Sequence, residues 1–360
     1  MGLLRLLLAI SVVLAHSNSI FGFKLVGGEM AVQAFYIISG FYMSLILNEK
    51  YIGLNNSFRL FISNRFLRLF PIYWIMLLST LLLSLFLGIY SHGDKWANLS
   101  SYIAYGKDLN WITCIYFAFT NVFLFLQDTV TFLGLNLSTG HLYFTAHYLQ
   151  TNPMVFSFMI IPQAWTVGIE ITFYLVAPFL VRKDVKLIIV IIAFSLLLRL
   201  LLIVNGLTES PWSNRFFPTE IVLFLLGNLS YRLYKKLTDI ELKQYFMKIV
   251  FCSLILITLL YNFIPMNSKY VLYLVMFFLA IPFIFILTKK NKFDKYIGEL
   301  SYPIYISHIF VFTFISGVKL PMIGGKGFTL SIASIVFAIL LNELVAKRIE
   351  KIRQRRIIKS

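Results

Sequence analysis

Arg5 and His16 are 11 residues apart, about three helical turns, so a helix through the first apolar run presents both on one face. With Arg5 at the inner interface, a rise of ~1.5 Å per residue lifts His16 roughly 16 Å into the membrane. An ionisable side chain at that depth is costly and is a functional candidate by default; the plain alternative is a histidine hydrogen-bonded between helices. An imidazole of near-neutral pKa there suits a general base. Arg65-Phe66-Leu67-Arg68 sets two guanidinium groups on one helical face just before Pro71. Each presents a planar fork of donors that suits phosphate, although an interfacial anchor needs the same residues. Thr166, Glu170 and Tyr174 share a face at four-residue spacing, and Glu170, about two turns deep from the outer surface, could meet His16. Its structural alternative is a pairing with Arg199 or with the surroundings of Glu220. Ile38-Ser39-Gly40-Phe41 reads first as a packing element, because Ser and Gly let helices approach closely.

These groups need long apolar helices to hold them. Of the 360 residues, 59% are hydrophobic and 13% charged, against roughly 25% charged in soluble domains. The apolar residues gather in ten runs of near-spanning length: 3–21, 30–47, 70–89, 163–181, 187–204, 218–233, 249–264, 271–287, 302–318 and 328–345. The expected fold is therefore an all-α polytopic membrane bundle of about ten transmembrane helices. Residues 1–346 form one membrane domain, and 347–360 a basic cytoplasmic tail.

Orientation follows from charge. Arg59, Arg65 and Arg68 follow the second run; Arg182, Lys183 and Lys186 the fourth; Arg232, Lys235 and Lys236 the sixth; Lys289, Lys290 and Lys292 the eighth; a last cluster runs from Lys347 to Lys359. With ten crossings all five lie on one side, cytoplasmic by the positive-inside rule, together with both termini. The same parity makes 90–162 an outer loop in which 111–132 is interfacial or re-entrant; two crossings there, twelve in all, would also keep it. The net charge of +17 thus belongs to a membrane surface, and no nucleic-acid partner is expected. Residues 5–15 also resemble a secretory signal, but that reading would remove Arg5 and leave His16 without its helix. Cys114 and Cys252 imply no disulfide framework, and no metal site is expected, since His92, His141, His147 and His308 lack a helical ligand spacing with a carboxylate. His141 and His147 read as surface or acceptor contacts.

Together these patterns resemble the membrane-bound acyltransferase-3 family, which includes bacterial O-acetyltransferases of cell-surface polysaccharides. The likeness rests on the Arg5 to His16 spacing, on Ala34-Phe35-Tyr36-Ile37-Ile38-Ser39-Gly40-Phe41, and on Asn64-Arg65-Phe66-Leu67-Arg68-Leu69-Phe70-Pro71. It continues in Trp165-Thr166-Val167 through Glu170, similar to a Trp-Ser-Leu-x-x-Glu element, and in Leu300-Ser301-Tyr302-Pro303-Ile304-Tyr305-Ile306-Ser307-His308. Gly2-Leu3-Leu4-Arg5 departs from the family's Asp-Gly-Leu-Arg, so the acidic partner is missing or supplied elsewhere. Thr166 replaces Ser and keeps a hydroxyl. The chain also ends soon after the last run, as a minimal membrane enzyme would.

The resemblance implies an enzyme of the inner (plasma) membrane that moves an acyl group, acetyl by expectation, from cytoplasmic acetyl-CoA to a sugar hydroxyl of a surface or lipid-linked polysaccharide. Its partners are then membrane lipid, acyl-CoA and a glycan acceptor. His16 is the expected general base and Glu170 the group that orients it; Arg65 and Arg68 bind CoA. Arg5, Ser39, Trp165, Thr166, Tyr305 and His308 complete the site. An acyl-histidine intermediate stays open. Two other readings remain. A transporter or flippase of a lipid-linked sugar would use Arg5, His16, Glu170 and Arg199 as a polar pathway, and a polysaccharide polymerase or ligase would use 90–162 to hold sugar.

Overall fold

The computed structural model describes residues 1–51 and 58–358; Lys359, the end of the last basic cluster, lies outside the described residues. Helix α1 (Gly2–Ala15) leads to α2 (Gly28–Glu49) and α3 (Phe58–Tyr90). An outer segment follows, with short α4 (Ser100–Tyr105), α5 (Trp111–Phe123) and a hairpin of β1 (Leu133–Leu135) and β2 (Leu142–Phe144). The remaining helices are α6 (Trp165–Leu180), α7 (Val185–Val204), α8 (Phe217–Leu237), α9 (Gln244–Leu260), α10 (Lys269–Thr288), α11 (Lys292–Glu299), α12 (Ser301–Gly317), α13 (Lys326–Leu341) and α14 (Lys347–Ile358).

Among the described residues, eight helical stretches are long and apolar enough to cross a membrane: α2, α3, α6 with its preceding turn, α7, α9, α10, α11 with α12, and α13 with α14. Two of the ten expected crossings miss this measure for different reasons. Helix α8 has the length, 21 residues, but carries Glu220, Asn228 and Arg232. It tolerates them because it lies inside the bundle, where Asn228 donates to Ser44 Oγ (2.8 Å) and Val181 O (2.9 Å). Helix α1 has 14 residues, ~21 Å at 1.5 Å per residue, and is shorter than the expected run 3–21. Ser17 ends it by donating from Oγ to Val13 O, so His16 sits past the last helical residue and not deep within a long span.

Helix α3 departs the other way. Its 33 residues extend the expected run 70–89 back through Arg65 and Arg68, so these arginines belong to the spanning helix itself. Residues 111–132 form the 13-residue α5 and a 3-10 turn (Asp128–Phe132). Twelve crossings would need two spanning helices there. Trp111, Ile115 and Phe119 on α5 are exposed, while Phe117, Val130, Leu135, Val155 and Phe158 give the segment between α3 and α6 a small core.

The centre of the bundle is the crossing of α2 with α8. A Cβ added at Gly40 would stand 1.9 Å from Phe224 O, and one at Gly227 2.1 Å from Ile37 O, so the two backbones touch where only glycine fits. The five basic clusters meet at one end. Arg182 donates to Leu47 O and Tyr51 O, Arg232 to Val181 O, Lys235 lies 3.6 Å from Glu49, and Lys50, Arg65, Lys289 and Lys347 line one opening. The outer segment packs at the other end: Tyr73 donates to Asn121 O, and Trp74 Nε1 to Val122 O at 2.9 Å.

Candidate active site

A cavity of about 750 Å³ enters the bundle at the basic end. Helices α1, α2, α3, α6 and α12 form its walls, and α10, α11 and α14 its rim. Arg5, Ser39, Arg65, Arg68, Thr166, Glu170 and Tyr305 all face it, so seven residues singled out by sequence converge on one space. Lysines and arginines outnumber carboxylates on the lining, which makes the cavity a host for anions.

Arg65 is 7% exposed, and its buried Nε has no hydrogen-bond partner; its guanidinium carbon lies 5.9 Å from the Phe61 ring centre. Arg68 lines the cavity one turn further along α3. Arg353 reaches the same mouth from α14, which docks on α3 through Arg356 Nη2 to Ser63 Oγ (2.7 Å). The residues expected as a tail from 347 thus contribute a helix to the rim. Arg353 was visible in the sequence as a positive charge only, since nothing local tells that this helix folds back onto α3.

At the base of α1 no carboxylate pairs with Arg5 among the described residues, and the acid brought there from elsewhere in the chain serves the helix backbone instead. Asp294 Oδ2 accepts from Gly2 N (2.7 Å) and Oδ1 from Leu3 N (3.0 Å), capping the helix across the fold. A Cβ at Gly2 would lie 1.6 Å from Asp294 O, so an aspartate at position 2 has no room. Arg5 donates from Nη2 to Ser301 Oγ (2.8 Å) and keeps a buried, unpartnered Nε.

Higher in the cavity, Glu170 Oε1 accepts from Ser39 Oγ (2.6 Å) and Tyr174 OH (2.5 Å). Ser39 therefore belongs to the site, and the packing role expected of this element falls to Gly40. Thr166 Oγ1 and Tyr305 OH are 2.6 Å apart, and Tyr305 OH also contacts Gln163 O. The backbone oxygen of Tyr305 holds His308 Nδ1 at 2.7 Å. Since a carbonyl only accepts, Nδ1 donates this bond, and Nε2 is the ring nitrogen left over. That Nε2 is buried and has no partner among the described residues, and the His308 ring centre is 5.1 Å from that of His16.

One expected contact is corrected. Glu170 is bound by Ser39 and Tyr174 and does not orient His16, whose ring neighbour is His308. The reason is vertical: α1 ends before His16, and the layer of α6 bonded to the His308 helix is Thr166, a turn before Glu170. Nor does Glu170 pair with Arg199, which binds Glu220 at 2.5 Å. Trp165 lies outside the cavity, under the guanidinium of Arg215. His141 is exposed and bonded to Asn110 (2.6 Å).

Comparison with known proteins gives this site a setting. A family model described as the acyltransferase domain matches residues 1–345. An uncharacterized protein of Aquifex aeolicus (strain VF5) is 28% identical over 202 residues, which is 54% of this chain and 89% of that protein. No solved structure matches the chain.

Proposed function

From the premise that the chain belongs to the acyltransferase-3 family, as the match over residues 1–345 shows, we propose that it carries acetyl from cytoplasmic acetyl-CoA to a sugar hydroxyl of a surface or lipid-linked polysaccharide, in the inner membrane. One observation carries the donor: the cavity of about 750 Å³ is lined by Arg65, Arg68 and Arg353 and also by Ser39, Glu170 and Tyr305, while His16 and His308 stand outside its lining, with the His308 ring centre 6.1 Å from that of Tyr305. Arg65, Arg68 and Arg353 meet the phosphates of CoA at the mouth, and the pantetheine arm runs up past Ser39 and Glu170 toward Tyr305. The mouth is the cytoplasmic end by its positive charge.

At the top His16 takes the proton of the acceptor hydroxyl. The hydroxyl oxygen forms a C–O bond to the acyl carbon, the C–S bond breaks, and the proton passes to the departing CoA thiolate. His308 takes over the orienting role first given to Glu170, because its free Nε2 can accept a hydrogen bond from the neighbouring imidazole. Glu170 instead fixes Ser39 and Tyr174 in the cavity wall. A polar pathway for transport is not favoured, since Arg199 and Glu220 satisfy one another.

Acetyl-CoA titrated into the purified full-length protein tests the donor assignment. Arg65→Ala and Arg68→Ala should each weaken binding about ten- to a hundredfold, with Lys restoring only part. Mass spectrometry of surface glycans with and without the gene should show acetyl groups lost. Unchanged CoA affinity in the folded double variant would reduce both arginines to anchors.

A further inference from the structure

A second polar cluster surrounds the start of α6, at the opposite end from the basic mouth, and the scheme above leaves it unused. Arg215, on the link between α7 and α8, holds its guanidinium carbon 4.4 Å from the Trp165 ring centre and 4.8 Å from that of Phe156. The rings set the plane of the cation and shield it, but they offer no lone pairs to its N–H groups. Its Nε and Nη1 are buried without any hydrogen-bond partner, and no carboxylate pairs with it among the described residues.

Nor is the arginine loosely hung. Arg215 N bonds to Pro211 O at 2.8 Å, and Trp212 clamps the link by donating to Ala146 O (3.0 Å) with its ring 4.9 Å from Phe132. Asp128 is close enough for the two charges to act on each other, yet it does not bridge to Arg215; its own Oδ1 is buried and unpartnered, as is Gln163 Oε1. Two buried N–H groups of a half-buried cation without an acceptor, together with buried acceptors without donors, are costly unless something outside the chain supplies both. The molecule that does so carries an oxyanion and hydroxyls.

We propose that Arg215 anchors the acceptor through an oxyanion, either the carboxylate of an acidic sugar or the diphosphate of a lipid-linked one, while Asp128 and Gln163 accept from its hydroxyls. Calling this ligand the acceptor rests on the acyl-transfer reading; the oxyanion site does not. The site sits beyond the Thr166–Tyr305 contact, with Trp165 adjoining Thr166 in sequence, so a sugar held there comes at the histidine pair from the side opposite CoA.

Calorimetry on the full-length protein in nanodiscs tests this with two matched pairs: methyl glucuronoside against methyl glucoside, and a short-chain polyprenyl diphosphoglucose against the polyprenyl glucoside lacking the diphosphate. Acetyl-CoA is titrated separately. In at least one pair the anionic member should bind about ten- to a hundredfold more tightly, and Arg215→Ala should erase that margin without changing acetyl-CoA affinity. The pair that shows the margin identifies the oxyanion. Arg215→Gln, which keeps a stem and a planar amide against Trp165, gives the same reading should the alanine variant fail to fold. No margin in the native protein, or a margin that survives in either folded variant, overturns the proposal. A margin that depends on Arg215 in a protein that does not bind acetyl-CoA would overturn the acyl-transfer reading and leave the oxyanion site standing.

Discussion

Arg199, near the end of α7, and Arg215, on the link that joins α7 to α8, are treated by the fold in opposite ways. Arg199 donates to Glu220 (2.5 Å), to Ser213 O and to Thr219 O (both 3.1 Å). Arg215, sixteen residues on, is packed among aromatic rings, and its buried Nε and Nη1 have no acceptor among the described residues. Where the bundle needs a cation for its own sake, it closes the network around it. The cavity repeats the open pattern, since Arg5 Nε and Arg65 Nε are buried and unpartnered among the described residues, as is His308 Nε2 outside its lining. Completeness of hydrogen bonding therefore separates scaffold from site, and charge alone does not.

The comparison breaks if an open group proves structural. The largest effect is expected at the histidine pair, where His16→Ala should lower acyl transfer about a hundred- to ten-thousand-fold. Thermal stability and acetyl-CoA affinity should stay near those of the parent protein, because His16 lies past the end of α1 and supports no helix. A folded His16→Ala enzyme of normal rate would remove histidine from the chemistry and leave Glu170 as the next base to test.

The closed group should behave in the reverse sense. Arg199→Ala strands the fully buried Glu220 and should cost about 3 to 5 kcal/mol in thermal or denaturant unfolding, while activity per folded molecule is kept. Glu220→Gln in the same chain should recover much of the loss. A selective loss of activity with normal stability would move Arg199 into the functional set.

The smallest effect sharpens the outer cluster. Burial pushes the Asp128 carboxyl up to about 6, against a weaker downward pull from Arg215. The unfolded value is ~3.9, so the folded chain holds this proton more tightly. Its contribution to stability is then full below pH ~4 and is lost as pH rises through about 6. Asp128→Asn should flatten that part of the melting-temperature profile, and an unaltered slope would place the titration elsewhere.

Much of this division was legible in the sequence, since helical spacing is local. Arg65 with Arg68, and Thr166 with Glu170, were correctly set on shared faces because one helix carries each pair. The basic clusters gave a common end for the same reason, as each closes a run. What the sequence hid depends on contacts between distant segments. Asp294 caps a helix whose residues lie about 290 positions away, and Arg353 reaches the cavity only because α14 returns to α3. Helix length was misjudged at both ends of the scale: α1 stops early, where Ser17 bonds back to Val13 O, and α3 runs on through Pro71, which does not separate the arginines from the apolar run. The pairing of Glu170 with His16 failed because depth was reckoned from run ends that the helices do not share.

The Thr166–Tyr305 contact has an electrical consequence on the acyl-transfer scheme. On that scheme the cavity lined by Tyr305, filled with water and open to the cytoplasm, would bring the cytoplasmic potential inward, so that in an energised membrane the voltage falls across a layer thinner than the ~30 Å of hydrocarbon. A proton travelling between His16 and the CoA sulfur crosses that layer, at up to ~2.3 kcal/mol per 100 mV. The rate of a reaction that transports no ion thereby becomes sensitive to membrane voltage, and the Tyr305 layer is the insulator on which the sensitivity depends.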